Sequence, residues 1–529
     1  MTNFVLLILI SSTFALFSFC AASAPACNRH PVAVRSTVTL LVGWLFGTAS
    51  AALLGRLLGG IDPIAELRWP PVGPLACGAY LDGVSSLTLV LVSFVGLVVC
   101  RYSIRYLDGD PGQGNYFRWV AATIGSVSLL VLSGNLLMLV GAWIATSLSL
   151  HHLLLHFSSR SGAQRAAWTK FAISRAGDVF LVAALVLVFI EFSTFDLSQI
   201  FAAIGPVQDL SSDRANALGW IGSLIVFGGI TKSAQFPLHS WLPETLETPT
   251  PVSALMHAGV VNAGGYLIIR LSPLVVHAPA SLELLAIVGT TTAVYGGIVM
   301  MTQSSVKKAL AYSTVAQMGF MMLQCGLGAF SAAMLHLVAH SLYKAYAFLN
   351  SGNVLKEEQA TRFDKPLKAS PRANLAKLPI VAASVLIGCG AIAWLIGFDL
   401  SAKPGGYALA TVFCLALSIG VWESLAILGR EVRGIAVTAA CGVAALYIGG
   451  YVAIDGLVGS YVAHPPGNAT AVFAGWLVVA AFVGLAALQV MLRTPAARRV
   501  QEYLYVHALN GFYADAAIDR LSGLLALRK

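Results

Sequence analysis

Three titratable side chains, His336, His340 and Lys344, follow one another at spacings of four inside an otherwise apolar run. On a helix that spacing puts all three along one stripe. A histidine exchanges a proton near neutral pH, and an ammonium group stripped of water gives up its proton more readily than a solvated one. Such a stripe has the chemistry to pass protons, although any one of these histidines alone could simply tie its helix to a neighbour. Lys232 is a second residue of this kind, set between Phe227-Gly-Gly-Ile-Thr231 and Ser233-Ala-Gln-Phe236. Pro237 lacks a backbone donor and disfavours the helical region for Phe236, so the helix carrying Lys232 is expected to break there. Pro243, Pro249 and Pro251 follow within the next turns. Helices interrupted at mid-depth build ion sites, because their freed backbone groups survive only beside protein or water. The plainer alternative is a kinked helix whose lysine reaches for one interface. Asp178, with Arg175 one turn before it as a charge partner, lies near the start of an earlier apolar span, and His257 lies in the span after Lys232.

These residues stand out because of the elements that must hold them. Hydrophobic residues make up 57% of the 529, charged residues only 10%, and the mean hydropathy is +0.80. A soluble domain carries about a quarter charged residues, whereas here apolar runs of about 20 residues recur almost end to end, each long enough to cross ~30 Å of hydrocarbon as a helix. The short alternation of barrel strands is missing, which leaves an all-α polytopic membrane protein. About fifteen spans are expected, centred roughly at residues 12, 47, 94, 126, 146, 182, 229, 262, 292, 318, 343, 388, 416, 445 and 481. A charge at the centre of such a span costs ~2.5 to 3.5 kcal/mol even on a lenient scale, so the few ionisable residues there are candidates for function.

Basic residues gather on alternate connections, as they do on the cytoplasmic side of a membrane protein. Arg29, Arg35, Arg105, Arg118, Arg160, Arg165, Lys170, Lys307, Lys308, the 356–377 loop, Arg430, Arg433, Arg493, Arg498 and Arg499 fall on one face. The opposite face carries Asp62, Glu66, Asp196, Asp209, Asp213 and Glu283 against Arg56, Arg68, Arg214 and Lys403. This pattern predicts an external N-terminus and makes the net charge of +9 an orientation signal, with no nucleic-acid partner required. The apolar run Phe4 to Phe19 followed by Ala-Ser-Ala-Pro-Ala imitates a signal peptide but lacks its basic start, and is expected to stay as a first helix. The eight cysteines are scattered with no CxxC pair, and no Cys, His and Asp set has zinc spacing. No cofactor is therefore expected in this chain.

Several segments carry a resemblance. Thr231-Lys-Ser-Ala-Gln-Phe-Pro-Leu-His-Ser-Trp-Leu-Pro-Glu244, Thr248-Pro-Thr-Pro-Val-Ser-Ala-Leu-Met-His257, Val306-Lys-Lys-Ala-Leu-Ala-Tyr-Ser-Thr-Val-Ala-Gln-Met-Gly-Phe320 and His336-Leu-Val-Ala-His-Ser-Leu-Tyr-Lys344 closely resemble the antiporter-like subunits of respiratory complex I and of Mrp-type antiporters. Leu81-Asp-Gly-Val-Ser85 opens the match, which reaches to about residue 400, and Asn510-Gly-Phe-Tyr-Ala-Asp-Ala516 is a weaker echo. The resemblance implies two inverted five-helix repeats, over residues 111–272 and 273–430, with N-terminal helices before them (1–110) and C-terminal helices ending in an amphipathic cytoplasmic stretch after them (431–529). It implies interrupted helices at spans seven and twelve. Lys232 becomes the central lysine of the first half, His257 its link onward, and His336, His340 and Lys344 the relay of the second.

Two departures limit the match. The family's Gly-Trp-Glu-Leu reads Ala142-Trp-Ile-Ala here, so Ile144 takes the place of the acid that pairs with the lysine. Asp178 could replace it, and His151, His152 and His156 offer another polar route unless they are merely solvated. The family's Phe-Ser-Lys-Asp reads Ile396-Gly-Phe398-Asp399, with phenylalanine where the exit lysine stands.

The stretch Met256-His-Ala-Gly-Val-Val-Asn-Ala-Gly-Gly-Tyr-Leu-Ile-Ile-Arg270 is also similar to the membrane subunits of the DAB inorganic-carbon accumulation complex, shorter relatives that fit a chain with little sequence after its amphipathic end. That resemblance implies a large soluble zinc-containing partner, similar to a β-type carbonic anhydrase, on the cytoplasmic face of a bacterial inner membrane. It implies a cation-conducting subunit coupled to CO2 or bicarbonate uptake, with the chemistry and the zinc in the partner. A subunit of a redox-driven pump or Mrp-type antiporter, and a non-conducting membrane scaffold, stay open beside it.

Overall fold

A helix satisfies its own backbone, and the apolar runs fold accordingly. The computed structural model describes residues 2–69, 77–204, 211–353, 377–401, 403, 405–427, 433–465, 469–492, 494 and 497–514. The first half runs α1 (Thr2–Phe17), α2 (Ala24–Arg29), α3 (Pro31–Leu57), β1 (Ala65–Trp69), β2 (Cys77–Leu81), α4 (Gly83–Tyr106), α5 (Gln113–Leu132), α6 (Leu136–Leu154), α7 (Ser161–Phe192), α8 (Leu197–Ala203), α9 (Ser212–Lys232), α10 (Thr250–Ala258), α11 (Ala263–Arg270) and α12 (Ser272–Val275). The second runs α13 (Pro279–Met300), α14 (Val306–Gly326), α15 (Phe330–Asn350), α16 (Leu378–Ile396), α17 (Gly406–Ile427), α18 (Arg433–Val458), α19 (Ala469–Met491) and α20 (Arg498–Leu509).

Twelve of the described helical stretches are long and apolar enough to cross a membrane. Three further helices of 21 residues, α9, α14 and α15, sit where spans were expected, and α9 carries Lys232 while α15 carries His336, His340 and Lys344. Contacts between loops sort the helix ends onto two faces. On one, Arg35 meets Asp108, His156 meets Asp110, Arg160 meets Glu247, Thr250 meets Tyr106, and Gln303 meets the Leu509 carbonyl. On the other, Arg56 meets Tyr461, Arg68 meets Asp196, Arg270 meets Asp82, and Lys403 meets Asp455. Of the loop charges singled out in the sequence, these contacts put Arg35 and Arg160 on one face and Arg56, Arg68, Asp196 and Lys403 on the other. The charges of the 356–377 loop other than Lys377, with Asp209, Arg430 and Arg493, lie outside the described residues.

The second face carries a feature not foreseen, an antiparallel hairpin of β1 and β2 pairing Ala65 with Leu81 and Trp69 with Cys77. Helix packing relies on close approach: a Cβ on Gly319 would run into the backbone of α13 at Gly289 and Ala293. Three expectations about helix breaks need correction. The α9 helix ends at Lys232 itself, four residues before Phe236, because Ala234 has a positive φ of 48° and the freed polar groups find other partners. The Ser233 hydroxyl donates to the Val261 carbonyl at 2.8 Å, and the Phe236 amide donates to Thr292 Oγ1 at 3.0 Å. The eighth span is itself broken at Gly259, between α10 and α11. In the twelfth, α16 runs unbroken to Ile396 and stops at left-handed Gly397.

Candidate functional site

Lys232 closes α9 with its side chain 3% exposed. Its ammonium donates to the Trp143 carbonyl at 3.2 Å and sits 4.3 Å from the centre of the Trp143 ring. A carbonyl and an aromatic face therefore occupy the position that the resemblance gives to a glutamate at Ile144, next to Trp143. Both are weak counterparts for a full charge.

Asp178 is 7% exposed and pairs with Arg175 at 2.8 Å, one turn before it, as the sequence suggested. Its expected depth needs correction. Because α7 already begins at Ser161, Asp178 lies at the middle of a 32-residue helix and not near its start. Gly177 beside it has no side chain to keep α9 away, and a Cβ there would collide with the Thr231 hydroxyl, the neighbour of Lys232. That crossing brings Asp178 into electrostatic range of Lys232.

Lys170 was counted among the loop charges, and this too is corrected: it is 2% exposed and donates to the Ser147 carbonyl at 2.6 Å and the Ser147 hydroxyl at 2.9 Å. The missed signal was its spacing. Lys170, Ser174 and Asp178 are four apart, all buried, the same stripe pattern as in the second half. On α6, Trp143, Ser147 and His151 form the facing stripe. His151 is buried with Nδ1 3.2 Å from the Ala167 carbonyl, and the His156 side chain is 6% exposed and 3.3 Å from Asp110, so neither is a solvated interfacial residue. His152 is exposed and stacks on Trp119.

In the second half His336, His340 and Lys344 do share one helix, α15. The His336 Nδ1 donates to Gln324 Oε1 at 2.8 Å, and the Lys344 ammonium donates to the Leu310 carbonyl at 3.0 Å. His340 is 4% exposed, 6.0 Å from His336 between ring centres, and among the described residues neither of its ring nitrogens has a hydrogen-bond partner. His257 lies 3.0 Å from the Thr314 hydroxyl and stacks on Phe348, and Asn262 just past the Gly259 break donates to Ser341 at 2.8 Å. Gln324, Thr314 and Asn262 carried no recognisable sequence signal, since such residues are common in helices. After Pro237, His239 contacts the Tyr295 hydroxyl at 3.0 Å, and that hydroxyl donates to the Gly511 carbonyl at 3.0 Å. Asp399 stands apart: it is exposed and caps its own turn through the Ser401 amide and hydroxyl. No group of three or more His, Cys, Asp or Glu among the described residues could hold a metal ion.

The family described as "NADH:quinone oxidoreductase/Mrp antiporter, TM" matches residues 133–397, a stretch that holds both clusters. The chain belongs to this antiporter family. A second match, to "NADH-Ubiquinone oxidoreductase (complex I), chain 5 N-terminus", covers residues 69–117. Among its relatives, the "Probable inorganic carbon transporter subunit DabB2" of Halothiobacillus neapolitanus is 40% identical over 85% of this chain and 81% of its own. The "Probable inorganic carbon transporter subunit DabB" of Hydrogenovibrio crunogenus is 39% identical over 64% of each. The Mrp complex of Dietzia sp. shares the fold of the whole chain, with a TM-score of 0.63 at 24% identity and 60% of that structure's chain covered.

Proposed function

We propose that this chain conducts protons across a bacterial inner membrane along its two buried clusters, and that it is the membrane subunit of an inorganic-carbon uptake complex. In this reading the chain makes about fifteen crossings, in two inverted repeats over 111–272 and 273–430, with its N-terminus outside and the 356–377 loop in the cytoplasm. One observation carries the conducting role: the buried Lys232 ammonium is held by a carbonyl and a ring face, with no carboxylate bonded to it among the described residues. A buried charge without a bonded counterion is costly to keep, so the site suits a proton that comes and goes. His340, buried with both nitrogens open, needs water to satisfy it and gives the second half a place for a short water file. The names of the relatives support the coupling to inorganic carbon.

The partner in this reading is a large soluble zinc-containing protein similar to a β-type carbonic anhydrase, docked on the cytoplasmic face. The second reading, a subunit of a redox pump or an Mrp-type antiporter, is favoured by the family match itself. Ile144 and Phe398 weigh against it, because two charged groups of that machinery are replaced by apolar ones.

The decisive experiment purifies the complex from its native membrane, measures its zinc, and follows proton flux after reconstitution. The expected results are a zinc-containing partner and a loss of flux of at least about 100-fold in Lys232→Met. Arginine at 232 should be no better, because it holds its proton at any accessible pH. Wild-type flux in a well-assembled Lys232→Met variant would remove lysine from the path, and a quinone or iron–sulfur partner would replace the first reading by the second.

A further inference from the structure

The stripe on α15 points from Lys344 through His340 to His336, toward the face on which α15 begins. His336 is not the last polar group in that direction. Ser331, in the first turn of α15, donates its hydroxyl to Asp455 of α18, and Asp455 accepts a 2.6 Å bond from the Lys403 ammonium. Five residues of helix rise separate Ser331 from His336, ~7.5 Å along the axis. The ion pair is neither sealed nor freely solvated, since the Lys403 and Asp455 side chains are 29% and 21% exposed.

A cavity of about 170 Å³ lies beside it, lined by Lys403 and Tyr451 and also by Ala332, one turn from His336. A water molecule needs ~30 Å³, so there is room for several. Most of the remaining lining, Phe398, Leu409 and Phe413 among it, is apolar. A mostly apolar space with few polar groups fills intermittently, which is how an apolar constriction gates a conducting path.

We propose that Lys403, poised by Asp455, is the terminal proton-exchange group of the second-half path, receiving protons from His336 through this cavity and releasing them at the face where Arg56, Arg68 and Asp82 lie. The proposal rests on the conducting role given above. In each transfer the Lys403 ammonium gives its proton to water outside as its hydrogen bond to Asp455 lengthens, and the amine left behind takes a proton from cavity water, which is reprotonated in turn from His336. Charge returns to its starting state after each passage.

Proton flux into vesicles holding the full complex tests this, with Lys232→Met as the reference for loss of conduction. Lys403→Gln and Asp455→Asn should each lower flux at least tenfold, and the double variant should be little worse than either alone. Lys403→Arg keeps the ion pair but exchanges no proton, so it should preserve assembly and thermal stability and still lose flux. Full flux in Lys403→Arg would overturn the proposal and leave the pair as a structural tie. Full flux in a stably assembled Lys403→Gln would overturn it as well. If the wild-type complex conducts nothing, the conducting role itself fails, a result distinguishable from both.

Discussion

Lys170 changes how the first cluster works. A lysine 2% exposed, bonded among the described residues only to Ser147 and on the same helical stripe as Asp178, is a second buried cation beside Lys232. Two such charges are kept near one carboxylate at a cost, because a buried charge without its own bonded counterion is not repaid for its desolvation. Lys170→Met should therefore raise the melting temperature of the purified chain while lowering proton flux at least tenfold. Unchanged flux would reduce Lys170 to a packing residue. Ser147→Ala should act oppositely on stability: it removes one bond from an ammonium that stays buried, costing about 1 to 3 kcal/mol, which a thermal melt would register. Lys232, His257 and the α15 stripe were legible in the sequence because an ionisable residue in an apolar run is conspicuous. Lys170 was not, because it lies nine residues into an unusually long helix whose start reads like a loop. Counting charges says nothing about depth.

At the scale of the helices, the site depends on α7 and α9 touching. Gly177 makes that contact possible, since any Cβ would meet Thr231. Gly177→Val should cost about 1 to 3 kcal/mol through overpacking. It should also push Asp178 away from Lys232, so flux is expected to fall further than stability alone would explain, measured as flux per assembled complex. Full flux at full assembly would mean that the Asp178 to Lys232 proximity is not used. Pro237 announced an interruption, yet the helix ends earlier, where the Ser233 hydroxyl ties to the Val261 carbonyl and the Phe236 amide donates to Thr292 instead of to a helical carbonyl. Those partners come from elements 28 and 56 residues away, beyond the reach of any local pattern. The Gly259 break was hidden for a similar reason, as Gly inside a membrane helix usually signals packing.

For the molecule as a whole, the alternation of charged loops was the most informative part of the sequence, because membrane insertion reads the same Lys and Arg bias. The contacts that divide the helix ends between two faces agree with it. A reporter at the N-terminus and one inserted near residue 360 should label from opposite sides, the first from outside. Labelling of both from one side would break the proposed count of crossings. The β1 and β2 hairpin escaped notice because two five-residue strands give too little alternation to register in so apolar a chain.

The Tyr295 hydroxyl has one proton, and given to the Gly511 carbonyl it leaves an oxygen that accepts from His239. One side chain thus holds both the segment that follows Lys232 and the turn that follows α20. Anything that grips residues 498–514 therefore pulls on the same clasp as anything that rearranges the chain after Lys232. Linkage then imposes a symmetry on the two events. If protonation of the lysine tightens a docked protein tenfold, docking must raise the lysine's hold on its proton by the same factor. Energy can consequently be exchanged across this chain in either direction, and the steeper of the two gradients decides which way it runs.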